Sequence, residues 1–186
     1  TLALSTPPSP TEKYLRSTLL PNICKAVVKN EHYFEEFAIF EETQIFKDTN
    51  YTSPYDEKEK LPYQRKHLGC AFVGRNDNIG NLFRQAKGVI ESMPRYTHME
   101  EFTFKREEKP YWADETVWVN VFLGETKIGD IALLSKKAAL ACGMKVASSV
   151  LVELDMDAFK PLKSRTNRYE RLPEFPMNDY DFSFLV

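Results

Sequence analysis

Two periods of apolar residues run through this chain, and the switch between them marks out its elements. Leu19, Ile23, Ala26, Val27 and Asn30 recur at helical spacing, which predicts a helix to about Asn30. Ser17 or Thr18 is placed to cap it, and Pro21 falls in its first turn, where a missing amide is tolerated. Phe37-Ala38-Ile39-Phe40 with Ile45-Phe46 predicts a long strand, and His67 to Gly74 a second. Residues 47–63 between them hold Pro54, a run of charges and Pro62, which predicts a polar loop. Asn78 is placed to cap a helix from Ile79 to about Met93, ended by Pro94.

The second half reads mostly as strands. Phe102 and Phe104 alternate with polar residues in a third strand. Val117, Val119, Val121 and Leu123 fall on one face of a fourth, with Trp118 and Phe122 on the other. Gly124-Glu125 turns that strand into Lys127–Leu134, a hairpin pattern. Ser135 caps a short helix from Lys136 that stops at Gly143. Ser148 to Leu154 is another strand, and 155–159 a helical turn. The order α-β-β-α-β-β-β-α-β predicts an α+β fold, a mostly antiparallel sheet flanked by helices.

The ends read differently. Residues 1–13 are rich in Ser, Thr and Pro and are expected to be extended. Residues 160–173 form a basic linker carrying Lys160, Lys163, Arg165, Arg168 and Arg171. The closing run Tyr180 to Val186 reads as a strand with no evident mate, and the first residue is Thr1 rather than Met. The expectation is a piece of a longer polypeptide, with a core over 1–172 and the start of another domain over 173–186.

Composition narrows the function classes. With 42% hydrophobic and 28% charged residues over 186 positions, the chain can bury a real core. A formal charge of -2 gives no global basic field for nucleic acid. No apolar run approaches the roughly 20 residues of a membrane-spanning helix. Cys24, Cys70 and Cys142 are odd in number and widely spaced, against a disulfide framework or zinc ribbon and in favour of a reducing, cytoplasmic setting.

Candidate chemistry is sparse. His67 and Cys70 show an HxxC spacing, but three residues along a strand point to opposite faces, so a shared metal is awkward. Glu41-Glu42 and Glu107-Glu108 split between faces if they lie on strands, and Asp179 with Asp181 shares one without a third ligand. Asp114 and Glu115 after Tyr111-Trp112 make an aromatic and acidic corner, either a ligand rim or a packed loop end. No phosphate-binding glycine loop or nucleophile elbow occurs, and Gly69 and Gly74 read as a bulge or strand end. The residues alone give no catalytic, cofactor or metal site.

Several phrases, taken in order, resemble one family. Leu15-Arg16-Ser17-Thr18-Leu19-Leu20-Pro21 resembles the LR-x-S/T-LLP segment of bacterial phenylalanyl-tRNA synthetase beta subunits. Phe37 to Phe46 resembles the strand that follows it there, and Gly124 to Gly129 the later G-E/D-x-x-IG hairpin. Val152-Glu153-Leu154 is similar to the next strand, and Leu172 to Pro176 to the lead-in of the anticodon-binding domain. Departures include Asn22 and Glu42 in place of glycines, Tyr111 to Asp114 in place of a His-Pro-Gly run, Leu134-Ser135 in place of His-Pro, and Tyr180 in place of an arginine.

The resemblance implies a class II synthetase-like core that supports the alpha subunit rather than reacting itself. An active core of that class needs an arginine just before or on the long strand, for the ATP α-phosphate and the acyl carboxylate, and another opening a late helix for the γ-phosphate, in bidentate geometry. Here Phe40-Glu41 follows Ile39, and no Gly-x-Gly-x-x-x-Arg occurs. The fragment is therefore expected to carry no cofactor; ATP and Mg2+ belong to the parent enzyme, which joins phenylalanine to tRNA. The implied partners are the alpha subunit and, weakly at most through this piece, tRNA. Leu20, Ile23, Val27 and Val28 give the first helix a wide apolar stripe, which serves either a partner interface or an internal core. Two other readings are a stand-alone interaction module of the same fold and, more remotely, a small-molecule transferase.

Overall fold

The structure, a computed structural model, describes residues 2–9, 13–52, 60–75 and 78–159. Helix α1 covers Leu20–Asn30, and the long strands β1 (Phe37–Thr52) and β2 (Lys60–Gly74) follow it. Next come α2 (Ile79–Thr97), β3 (Phe102–Lys105), β4 (Ala113–Leu123) and β5 (Thr126–Leu134). Helix α3 (Lys136–Cys142), β6 (Ser148–Asp155) and a 3-10 turn (Met156–Phe159) complete the described chain. The strands form one sheet in the order β1-β2-β6-β5-β4-β3, and every neighbouring pair is antiparallel. The α+β expectation and the element order are both met.

Strand β6 sits mid-sheet and divides the core. Val150, Val152 and Leu154 point to the face covered by α2, where they meet Leu82, Ala86, Ile90, Val121 and Ile131. Leu151 points to the other face and joins Leu19, Leu20, Ile23, Val27, Ala71 and Leu134 under α1. An apolar residue on either side of the strand is what a central position demands. Two glycines let backbones approach closely. A Cβ on Gly129 would lie 2.1 Å from the Glu153 carbonyl oxygen, and one on Gly69 would lie 3.0 Å from Leu19 Cβ. Gly69 thus seats the start of α1 on the sheet and marks no bulge; the register shift on this hairpin falls between Lys47 and Asn50.

Several boundaries differ from expectation. Most of the predicted loop over 47–63 is strand, because backbone pairing continues through Thr52 and from Lys60 whatever the polarity of the side chains. Helix α2 runs past Pro94 to Thr97: proline removes only its own donor, and its carbonyl still accepts from His98 and Met99. His98 then ends the helix in the left-handed region at φ 54°. Asn78 precedes α2 but makes no side-chain cap bond. Leu19, not Ser17 or Thr18, is the N-cap of α1. Asp114 and Glu115 lie in the irregular start of β4, where Asp114 accepts from the Thr116 amide at 2.9 Å, rather than in a loop. Ser135 and Gly143 cap α3 as expected, with Ser135 Oγ accepting from the Ala138 amide. The basic stretch, Asp179, Asp181 and the 173–186 segment lie outside the described residues.

Candidate functional site

Helix α1 covers only part of its sheet face, and polar side chains collect beside it. Glu153 is the odd residue on this side of β6, two positions on from buried Leu151. Its Oε2 accepts from Thr18 Oγ1 at 2.6 Å, and its Oε1 accepts from the Leu19 amide at 2.9 Å. His67 Nδ1, on the neighbouring strand, lies 3.2 Å from the same Oε1. Burial pushes the Glu153 pKa up, but the bonds from His67, Thr18 and the Leu19 amide outweigh it and hold the carboxyl below its ordinary value. Thr18 Oγ1 also sits 3.3 Å from the Leu20 amide. The carboxylate on the sheet therefore ties down Leu19 and Thr18 at the entry to α1, where its charge complements the positive end of the helix.

Asp130 lies directly opposite Glu153 in the β5–β6 register. It accepts from Asn120 Nδ2 at 2.6 Å and pairs with Lys127 Nζ at 3.0 Å. Asn120 is fully buried and uses its other bonds on the segment after β3. Its Oδ1 accepts from the amides of Glu107 and Glu108 at 2.9 and 3.1 Å, and its Nδ2 donates to the Glu108 carbonyl at 2.8 Å. These contacts shape a cleft of about 450 Å³ lined by Thr18, Lys109, Trp112, Lys127, Asp130 and Glu153 among others. Farther along, Arg106 stacks over Trp118, with its guanidinium carbon 4.5 Å from the ring centre.

Among the described residues, four cations on and near this face are held by carboxylates. Arg16 Nη1 pairs with Glu41 Oε1 at 2.7 Å, Lys127 with Asp130, and Lys109 with Glu115. Arg65 on β2 grips Asp155 through two of its nitrogens. Ile39, in the register place facing Ala71, packs against the α1 core. The described residues lining the cleft therefore present paired lysines beside carboxylates, an arrangement poorly suited to gathering phosphate.

The family of the chain is decided by its sequence match. The model of the phenylalanyl tRNA synthetase beta chain CLM domain matches residues 1–156. The chain belongs to that family. Among solved structures, a pyrrolysyl-tRNA synthetase from Desulfitobacterium hafniense is similar to this CLM domain, with a TM-score of 0.60 and 14% identity. The match covers 78% of this chain and 48% of that one. A second structure, D. hafniense PylSc, gives 0.56 and 15% identity, covering 83% and 51%. The CLM domain thus has a class II synthetase-like fold and spans about half the length of the structures it matches. No curated protein matches it.

The residues singled out from sequence fall in different places. Leu20, Ile23 and Val27 are buried in the core under α1, and Val28 is half-buried against it. His67 and Cys70 point to opposite faces, His67 toward Glu153 and Cys70 into the α2 core. Glu41 and Glu42 also split, to Arg16 and Lys66. Glu107 and Glu108 lie in a connection rather than a strand. Among the described residues no three His, Cys, Asp or Glu side chains gather as a metal site would need, and no helix is long and apolar enough to cross a membrane. Sequence reasoning missed the Glu153, Asp130 and Asn120 cluster. Its one trace was Asn120, a polar residue amid the apolar run of β4.

Proposed function

We propose that this CLM domain is the non-catalytic structural core of the beta chain of a phenylalanine-tRNA ligase, supporting the alpha subunit while that subunit charges tRNA. The observation that carries the reading is the state of the face beside α1. Ile39 packs into the core where an active site would want an arginine, and Arg16 is occupied by Glu41. A triphosphate needs unpaired guanidinium groups, whereas Glu153 and Asp130 make this cleft acidic. On this reading ATP and Mg2+ act in the alpha subunit, the parent enzyme works in the cytoplasm, and tRNA is held by other parts of the assembly.

Co-expression with the cognate alpha subunit tests the proposal. A stable complex with phenylalanine-dependent pyrophosphate exchange, and no exchange by the CLM domain alone, is the expected result. Exchange by the CLM domain alone, above a heat-killed control, would overturn the non-catalytic assignment. Failure to bind the alpha subunit would favour a stand-alone interaction module of the same fold.

A further inference from the structure

Strand β1 is one edge of the sheet, and among the described residues no strand of the sheet lies on its outer side. The Phe46 amide donates outward, to the Arg16 carbonyl at 2.8 Å. Backbone direction alternates along a strand, so Ala38, Phe40, Glu42 and Gln44 also turn their amides and carbonyls away from β2. Their side chains lie on the α2 side of the sheet, because Ile39 and Ile45 pack into the α1 core. Helix α2 leaves this strip uncovered: Ala38, Phe40, Glu42 and Gln44 are all exposed, Phe40 at 78%. A long edge with outward amides and a bare aromatic ring is a template for another strand.

We infer that the strand that adds to this edge is β1 of a second copy, running antiparallel about a two-fold axis at Phe40 and joining two six-stranded sheets into one. Charge selects both the occupant and the register. The edge is acidic, with Glu35 and Glu36 just before it and Glu41 and Glu42 within it, so a matching strand must keep its own carboxylates away from these. Strand β1 meets that requirement against itself in one central register. With the axis at Phe40, Phe40 faces Phe40, Ala38 faces Glu42, Ile39 faces Glu41 and Glu36 faces Gln44. No carboxylate opposes another. An axis at Ala38 sets Glu35 against Glu41, one at Ile39 sets Glu36 against Glu42, and axes at Glu41 or Glu42 set each against its own copy. Axes beyond Glu42 run the second strand into Phe46, whose amide Arg16 already holds. Axes before Ala38 pair only the first residues of the strand.

The contact suits the residues that make it. Phe40 and its copy form an aromatic cross-strand pair, which takes both rings out of water. Ala38 is small enough to leave the opposing Glu42 its ion pair with Lys66 at 2.8 Å, and Glu41 keeps Arg16 on the other face of the sheet. The ladder with β2 is untouched, since it uses the backbone groups of the intervening residues. The contact is between copies of this chain and stands independently of the ligase assignment.

Cysteine pairing in the full-length parent protein reads the register directly. Residues that face each other at such hydrogen-bonded positions have Cα atoms about 5.5 Å apart, within reach of a disulfide. Under mild oxidation, with digests mapped by mass spectrometry, Phe40→Cys should give a peptide joining two copies through position 40. Ala38→Cys and Glu42→Cys should each give no link alone, and a link between positions 38 and 42 when mixed. Phe40→Glu sets two carboxylates face to face and should suppress that mixed link. Ala38→Pro removes an outward amide but no ladder bond to β2, and should suppress the link at position 40. One variant acts through a side chain and the other through the backbone, so a folding failure in one leaves the other as the test. No link at position 40 would overturn the inference. So would a link from Ala38→Cys alone, which marks another register or random collision, and so would a position-40 cysteine joined to the alpha subunit, which assigns the edge to a different occupant.

Discussion

Glu153 shows how one side chain joins two levels of the structure. It is a strand residue by position, yet its bonds go to Thr18 and the Leu19 amide at the start of α1. Its carboxyl titrates below the ordinary glutamate value of 4.5 when folded. A lowered folded pKa stabilises the native state fully above the unfolded value, and that contribution is lost as pH falls through the folded value. Glu153→Gln should cost about 1–3 kcal/mol at neutral pH, because charge-assisted bonds to a buried acceptor are weakened. Urea denaturation of both proteins across pH should show the gap narrowing once pH drops below the ordinary glutamate range. A gap independent of pH would mean that packing, not charge, sets the loss. Gly129→Ala should cost about 3 kcal/mol, since its Cβ would collide with the β6 backbone. A thermal midpoint unchanged by that substitution would show that β5 can move away from β6.

Helix α1 is the element with the clearest choice between internal and external contacts. Leu20, Ile23 and Val27 are spent on the sheet, whereas Val28 sits at the edge of the stripe. Leu20→Asp places a charge in the core and should cost about 4 kcal/mol or more, visible as loss of helical circular dichroism or of a cooperative transition. Val28→Asp should leave the fold intact. Alpha-subunit binding by folded Val28→Asp then reports on this edge of α1: a weakened complex places it in the interface, and unchanged binding removes it. The same element explains the capping error. Ser17 and Thr18 are good caps by type, and Thr18 Oγ1 does accept from the first α1 amide, that of Leu20, but the amide of the N-cap residue Leu19 goes to Glu153, 134 residues away along the chain, which no local pattern reveals.

At the scale of the molecule, the described residues form a sheet with α2 on one face and α1 and α3 on the other, and a cleft lined by Glu153 and Asp130 beside α1. That charge distribution bears on RNA. With a net charge of -2, tRNA titration of the domain at near-physiological salt should give at best the non-specific range of roughly 10⁻⁴ to 10⁻⁶ M. Submicromolar binding that survives added salt would require a dedicated RNA surface. Phe40, 78% exposed on the edge strand β1, is the opposite kind of surface feature, a large apolar group that the sequence pattern assigned simply to a strand.

The sequence by itself determined the element types, their order and the family. Helical and alternating periods survive in single segments, and the phrase Gly124 to Gly129 is legible because a tight turn and a close β5–β6 approach call for glycine at its two ends. Tertiary structure decided where elements stop and which polar groups meet. The β1–β2 hairpin lengthens because each strand satisfies the other's backbone, and α2 passes Pro94 because proline forfeits one donor and the helix keeps its other bonds. Asn120, Asp130, Glu153, Thr18 and His67 come from five separate stretches of chain. Their grouping is set by strand register and by the seating of α1 over Gly69, long-range geometry that a residue pattern does not encode locally.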